Sequence, residues 1–183
     1  MAIRSGLTWW VKRNLSHLKN LDHSKVCNTI NFSYSLVKNN MNDITTIQGG
    51  IAEDHRGHIR FVNDFDMTQV KRFYIIKNKD TDLVRGWRAH RIEQRWFYVL
   101  SASFSVDLIK IDDWENASPE LRVERRVLRA EDKQILHVPV GYGTAFQALE
   151  PESELLVFAD YGVEHAINDD YTWPAGYFVN RDK

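Results

Sequence analysis

Arg95-Trp96-Phe97-Tyr98-Val99-Leu100-Ser101 and, two residues on, Phe104-Ser105-Val106-Asp107-Leu108-Ile109-Lys110-Ile111 decide the fold class. Both runs are rich in aromatic and β-branched side chains, which suit a pleated and half-buried surface. Phe104, Val106 and Leu108 alternate with Ser105 and Asp107, marking one buried and one wetter face of a strand. Ile109 and Ile111 then take the opposite parity, so a bulge or a twist is expected there. Runs of the same kind occur at residues 59–62, 72–76, 123–128, 135–138, 144–149 and 155–158. Turn chemistry separates them, as in Asp80-Thr81-Asp82, Asp112-Asp113 and residues 139–143. About eight such strands fit a sandwich or barrel. Helical signal is confined to a turn or two over residues 164–171, stopped by Pro174 and Gly176. Tyr171, Trp173, Tyr177 and Phe178 should pack the tail down onto the domain.

At 183 residues, with 43% hydrophobic and 27% charged residues, the chain is long enough for one well-buried domain and short for two. A formal net charge of -1 gives no global field toward nucleic acid or an acidic membrane, so neither is expected as a partner. No window approaches the ~18 consecutive apolar residues that span a bilayer. Trp9-Trp10-Val11 is broken by Lys12-Arg13, too soon for a secretory segment, and a cytoplasmic location is expected. The lone Cys27 agrees with a reducing compartment. Residues 1–40 set Arg4, Lys12, Arg13, Lys19, Lys25 and Lys38 against Asp22 alone and hold no lasting hydrophobic period. They read as an irregular N-terminal extension, disordered or partly helical, ahead of a single domain at 41–183.

The chemistry concentrates in Arg85-Gly86-Trp87-Arg88-Ala89-His90-Arg91, with Glu93 just beyond. Like charge from Arg88 and Arg91 disfavours protonation of His90, leaving a neutral imidazole available as a base. The bland alternative is a histidine hydrogen-bonded into a barrel wall. Arg85 and Arg88 carry the forked donors that suit a diphosphate, or else belong to a solvated loop. Tyr74 points its hydroxyl into the barrel as acid or enolate donor, or is a core aromatic. Trp87 and Trp96 are candidates for stacking a base, with burial in the core as the alternative. An RNA-binding reading built on Arg72, Arg95, Arg125 and Arg126 lacks a basic excess and a recognisable signature.

Arg85 to Arg91, with Leu100-Ser101-Ala102-Ser103 following, resembles the R-G-x-H-A-H-K…L-S-G-S signature of the cupin sugar-nucleotide 3,4-ketoisomerases. Asp54-His55-Arg56-Gly57 and Val138-Pro139-Val140-Gly141-Tyr142 resemble the D-x-R-G and I-P-x-G-F elements of the related dTDP-4-dehydrorhamnose 3,5-epimerases. Ala159-Asp160-Tyr161 and Ile167-Asn168-Asp169-Asp170-Tyr171 are similar to the S-D-Y…I-x-D-Y close of the ketoisomerases. The resemblance runs in order over residues 50–178.

It implies an all-β cupin, a jelly-roll β-barrel that usually forms a homodimer, acting on a dTDP-linked 4-keto-6-deoxyhexose for surface polysaccharide without metal or redox cofactor. Both relatives remove a proton beside a ketone, which calls for a base and a donor or cation facing the enolate oxygen. By this resemblance His90 and Arg88 are the catalytic candidates, with Tyr74 added from its place in a strand, and Arg85, Arg56 and Tyr161 are the substrate-binding ones. The chain departs from the pattern at Arg88, where both families carry histidine, and at Thr144, where the epimerases carry another. Arg88, His90, Glu93 and Thr144 stand at the ligand places of metal cupins, and one cation with one hydroxyl there argues against a divalent ion. The alternative function is a non-catalytic cupin that binds a nucleotide sugar as scaffold or sensor.

Overall fold

The computed structural model describes residues 43–178, so the expectations for residues 1–40 lie outside the described residues. Its strands are β1 Thr45–Gln48, β2 Gly50–Asp54, β3 Gly57–Phe61, β4 Arg72–Lys77, β5 Val84–Ala89 and β6 Arg95–Ser101. They continue with β7 Ser103–Lys110, β8 Glu124–Arg129, β9 Gln134–Val138, β10 Tyr142–Ala148, β11 Glu154–Ala159 and β12 Tyr171–Thr172. One antiparallel sheet has the order β1-β9-β6-β11-β4, a second has β12-β5-β10-β7-β8, and β2-β3 form a separate hairpin. This is the jelly-roll barrel that the resemblance implies, and it agrees with the sandwich or barrel fitted by the strand count. None of the described helices is long and apolar enough to cross a membrane.

The core lies between the two five-stranded sheets. Phe97, Val99, Leu136, Val138, Leu155 and Val157 of the first sheet meet Phe104, Val106, Leu108, Leu128 and Phe146 of the second. The alternation along β6 aims Phe97 and Val99 inward, and the same parity carries Arg95 to the inner face at the strand's start. A second cluster covers the outer face of the second sheet, where Trp87, Ala89, Ile109, Ile111 and Ala145 pack under Trp173, Tyr177 and Phe178 of the tail. The tail therefore packs down as its aromatic content implied.

Of the bulge or twist expected near Ile109, the bulge is absent: β7 pairs with β10 without interruption from Phe104 to Lys110. The parity slip reflects burial on both faces, Leu108 pointing into the barrel and Ile109 into the outer cluster. Ser105 and Asp107 are buried too, so the face read as wetter is covered. The irregularity lies instead between β10 and β5, where Thr144 pairs with Arg88 and Phe146 with Arg85. Gly86 and Trp87 on β5 oppose Ala145 alone on β10, so Arg85 and Arg88 share the inner face although they are three apart.

The eight runs read as strands all overlap observed ones, whereas β1, β2, β5 and β12 went unread. β5, Val-Arg-Gly-Trp-Arg-Ala, has no simple alternation because of its bulge. β12 is two residues long and exists by pairing with Ala89 and Arg88. Trp87 is fully buried, donating its indole N–H to Ala175 O at 3.2 Å. Trp96 is buried as well, stacked on His137 at 5.2 Å between ring centroids. Neither ring is open to a nucleobase.

Gly86 lies where the tail crosses β5, and a Cβ built there would stand 2.6 Å from Ala175 Cα, a backbone atom that has little freedom to give way. Gly86→Ala is therefore expected to lower the stability measured by urea unfolding by about 1–3 kcal/mol, as overpacking does elsewhere. An unchanged midpoint would mean that the tail is not packed as described.

Candidate active site

At one end of the barrel the inner faces of both sheets turn polar. Register sets the first sheet's contribution: Ala159 of β11 pairs with Arg72 of β4 on one side and Arg95 of β6 on the other. Tyr74 follows on the same face, one pair further in, beside Val157. The second sheet contributes Arg85 and Arg88 through the β5 bulge, with Thr144 and Phe146 beside them. A cavity of about 450 Å³ is lined by Tyr74, Ile76, Arg85, Arg88, Arg95 and Thr144 among others. A neighbouring one of about 280 Å³ is lined by Arg72, Arg88, His90, Arg95, Ile167 and Asp170. Arg88 and Arg95 border both, so the two hollows are parts of one cationic cleft.

His90 stands just beyond β5, in the turn to β6. It is 7% exposed. Its Nδ1 lies 2.6 Å from Asp169 O, an acceptor only, which fixes the proton on Nδ1. Nε2 is thereby left as a lone pair, buried and without a hydrogen-bond partner among the described residues. Glu93 Oε1, at 3.9 Å, is too far to bond it. The His90 pKa is lowered to about 4, first by burial and then by the Arg95 guanidinium, against opposing attraction from Glu93 and Asp169. The neutral imidazole expected from sequence is present, but burial and Arg95 cause it, not Arg88 and Arg91.

Two acidic groups hold this turn. The Asp169 carboxylate accepts the backbone N–H of Arg91 at 2.7 Å, of Ile92 at 3.1 Å and of Glu93 at 2.7 Å. The Asp160 carboxylate accepts the Gln94 backbone and side-chain N–H groups, both at 2.9 Å. The Gln94 side-chain oxygen in turn meets His137 Nε2 at 2.7 Å. Glu93 is 2% exposed and is held by both Arg72, at 2.7 Å, and Arg95. Burial pushes its pKa up, but Arg95 and the hydrogen bonds from both arginines outweigh burial and hold it below the usual value.

Of the residues singled out in the sequence, Tyr74, Arg85, Arg88 and His90 come together. Burial raises the Tyr74 pKa, so its phenol remains a donor at neutral pH. The Arg88 side chain is 52% exposed and its Nε is paired with Asp170 at 2.8 Å. Tyr161 touches the site through its carbonyl, which accepts from Arg72 Nε at 3.0 Å, while its ring packs near His165. Arg56 stays on the β2-β3 hairpin in an exposed pair with Asp54, away from both hollows. The residues missed were Arg72, Arg95 and Asp169. Arg95 was detectable, since it shares the parity of Phe97 and Val99 in an apolar strand. No cluster of three or more His, Cys, Asp or Glu is placed to hold a metal ion among the described residues. At the metal-cupin places, both Glu93 oxygens are taken by guanidiniums.

A family model described as FdtA: WxcM-like, C-terminal matches residues 38–180. The chain belongs to this family. No curated protein sequence matches it. Among solved structures, a mutant of the 3,4-ketoisomerase QdtA from Thermoanaerobacterium thermosaccharolyticum, in complex with TDP-4-keto-6-deoxyglucose, is similar with a TM-score of 0.56. Its identity is 19%, over 74% of this chain and 91% of that one. The TDP-quinovose 3,4-ketoisomerase WlaRB from Campylobacter jejuni gives 0.54 at 19% identity, over 78% and 98%. The rmlC epimerase of Mycobacterium tuberculosis gives 0.60 at 16% identity, over 74% and 72%. At these identities the likeness establishes the cupin fold for this member of the WxcM-like family.

Folded His90 binds a proton more weakly than the unfolded chain, whose histidine titrates near 6.5. Between about pH 6.5 and pH 4 the unfolded state holds the extra proton. The His90 contribution to stability is thus complete above that window and lost as pH falls through it. Urea midpoints are expected to fall further between pH 7.5 and pH 4.5 in the unaltered protein than in His90→Gln. Equal falls in the two proteins would contradict the assignment.

Proposed function

We propose that the protein is a metal-independent isomerase of the 3,4-ketoisomerase type, acting on a dTDP-linked 4-keto-6-deoxyhexose. The observation that carries this reading is the partnerless Nε2 of His90, a residue that lines a cleft walled by guanidiniums. In the reaction, Nε2 takes the C3 proton of the 4-keto sugar and the C–H electron pair moves toward the carbonyl, making the C4 oxygen an enolate. The C3 hydroxyl proton passes to that oxygen, which moves the negative charge to the C3 oxygen. The carbonyl then forms at C3 as His90 returns its proton to C4. One base that keeps its proton on one face suffices for this migration, whereas epimerisation requires a donor on the opposite face. Tyr74, protonated and lining the same cleft, is the group that would serve the epimerase outcome.

Arg85 and Arg88 supply forked donors for the diphosphate at the open side of the cleft. The geometry assigns no role to Arg56, and Tyr161 supports the site through Arg72. The family match over residues 38–180 supports 41–183 as the cupin domain that carries the activity. Work in the cytoplasm on sugars for surface polysaccharide belongs to the same proposal. So does a homodimer, supported by the edge strand β4 with its outward Phe73 and Ile75.

Proton NMR in deuterated water with TDP-4-keto-6-deoxyglucose tests the reading. The expected result is deuterium at the carbon beside the ketone and a 3-keto product, unaffected by EDTA. His90→Asn should lower the rate by about 10²–10⁴-fold, the usual worth of a general base, while binding persists. Saturable binding without any exchange would leave the scaffold or sensor alternative, and a C3 or C5 epimer would make Tyr74 the second catalytic group. In a separate titration, Arg85→Ala and Arg88→Ala are each expected to weaken TDP binding by about tenfold, in line with a charge-assisted hydrogen bond. Unaltered affinity in both would remove the diphosphate assignment.

A further inference from the structure

Arg72 and Arg95 flank Ala159 on the inner face of the first sheet, and the side chain between their guanidiniums is Glu93. Glu93 takes only the Nε of Arg95. The two terminal nitrogens of Arg95 have no acceptor among the described residues, although the side chain is 6% exposed and lines both hollows of the cleft. A guanidinium stays charged at any accessible pH, and a buried charge is costly unless its donors are used. One carboxylate also neutralises only one of two guanidiniums, so this buried group retains a net positive charge. Arg88 is placed differently: it is half exposed, and Asp170 already answers its charge.

We propose that Arg95 is the catalytic residue that receives the developing enolate oxygen, with Glu93 and Arg72 as positioning residues that hold its fork toward the substrate. The proposal rests on the isomerase reading above and names the electrostatic group within it. As C3 loses its proton to His90 Nε2, the electron pair arrives on the C4 oxygen, which the Arg95 N–H donors receive. Such preorganised donors act most strongly where charge develops. The weak basicity of His90 supports the same assignment. With an acidity near 4 the imidazole is fully available at neutral pH but supplies little driving force, so the cation must carry the enolate. Around His90 the charged groups are Arg95 from β6, Glu93 from the β5–β6 turn, Asp169 and Asp170 from the C-terminal segment, Arg72 from β4 and Arg88 from β5.

Steady-state kinetics and solvent exchange with TDP-4-keto-6-deoxyglucose, using the full chain, test the proposal. Arg95→Gln should lower kcat by about 10²–10³-fold, the worth of an oxyanion donor, with substrate affinity by calorimetry changed less than about threefold. Arg95→Lys, which keeps the charge without the fork, should recover about tenfold of that loss. Residual activity of Arg95→Gln should show its acid limb at higher pH, because the cation that depresses His90 is gone. Arg72→Gln should lower kcat by roughly tenfold with KM unchanged, since it slackens Glu93 without removing the donor. If Arg95→Gln fails to fold, Glu93→Gln/Arg95→Gln removes both buried charges together and should show the same loss. Either folded variant keeping kcat within about threefold of the unaltered protein would overturn the proposal. If the unaltered protein neither isomerises nor exchanges the substrate, the isomerase reading itself fails and the Arg95 role falls with it. Turnover in the unaltered protein and in Arg95→Gln alike would sink only the Arg95 role.

Discussion

A buried carboxylate shared by two guanidiniums organises the polar end of this barrel. Glu93 could not remain ionised at 2% exposure without Arg72 and Arg95, and neither arginine would stay on the inner face of the sheet without it. Breaking such a group by removing one partner characteristically costs about 3–5 kcal/mol, because the remaining charge is left buried and uncompensated. The cluster ties β4, β6 and the turn before β6 together across Ala159, whose small side chain leaves space for both guanidinium stems. The apolar core ends where this cluster begins, and the cleft opens beyond it.

The C-terminal segment completes what the cluster starts. Asp169 holds three successive backbone N–H groups of the β5–β6 turn, and its own carbonyl accepts the His90 Nδ1 proton. One residue thus fixes the turn that presents Glu93 and the tautomer that presents the His90 lone pair. The tail aromatics explain how this segment is brought to β5: Trp87 lies beneath Phe178 and Ala175, and β12 adds to the sheet at Arg88 and Ala89.

The all-β class and eight of the strands were legible because alternation along runs such as Phe97-Tyr98-Val99 and Phe104 to Leu108 is a local signal. The cupin resemblance rested on local motifs and held for the same reason. β5 was not read as a strand because its bulge hides the period, and burial on both faces of β7 was taken for a bulge or a twist in that strand. In the site, His90, Arg88, Arg85 and Tyr74 were found because they lie in or near the motif. Arg72, Arg95 and Asp169 were missed because their meaning comes from register and long-range packing: Arg72 and Arg95 are neighbours only through Ala159, some sixty residues further along the chain than Arg95. Arg95 even entered the discarded RNA-binding reading, since a cation in a strand looks like surface until its parity with Phe97 is taken seriously.

The extra residue in β5 acts as a gear tooth. Beyond it, Arg88 and His90 engage the cleft while Trp87 and Ala89 engage the tail; before it, Arg85 engages the cleft again. A strand that kept all its residues but paired smoothly with β10 would turn either Arg85 or Arg88 to the other face, because a slip of one residue exchanges the two faces. The R-x-x-R spacing is therefore a matter of backbone counting as much as side-chain chemistry. A change that smoothed β5 without removing a residue would disable the cleft while leaving every arginine and histidine in place.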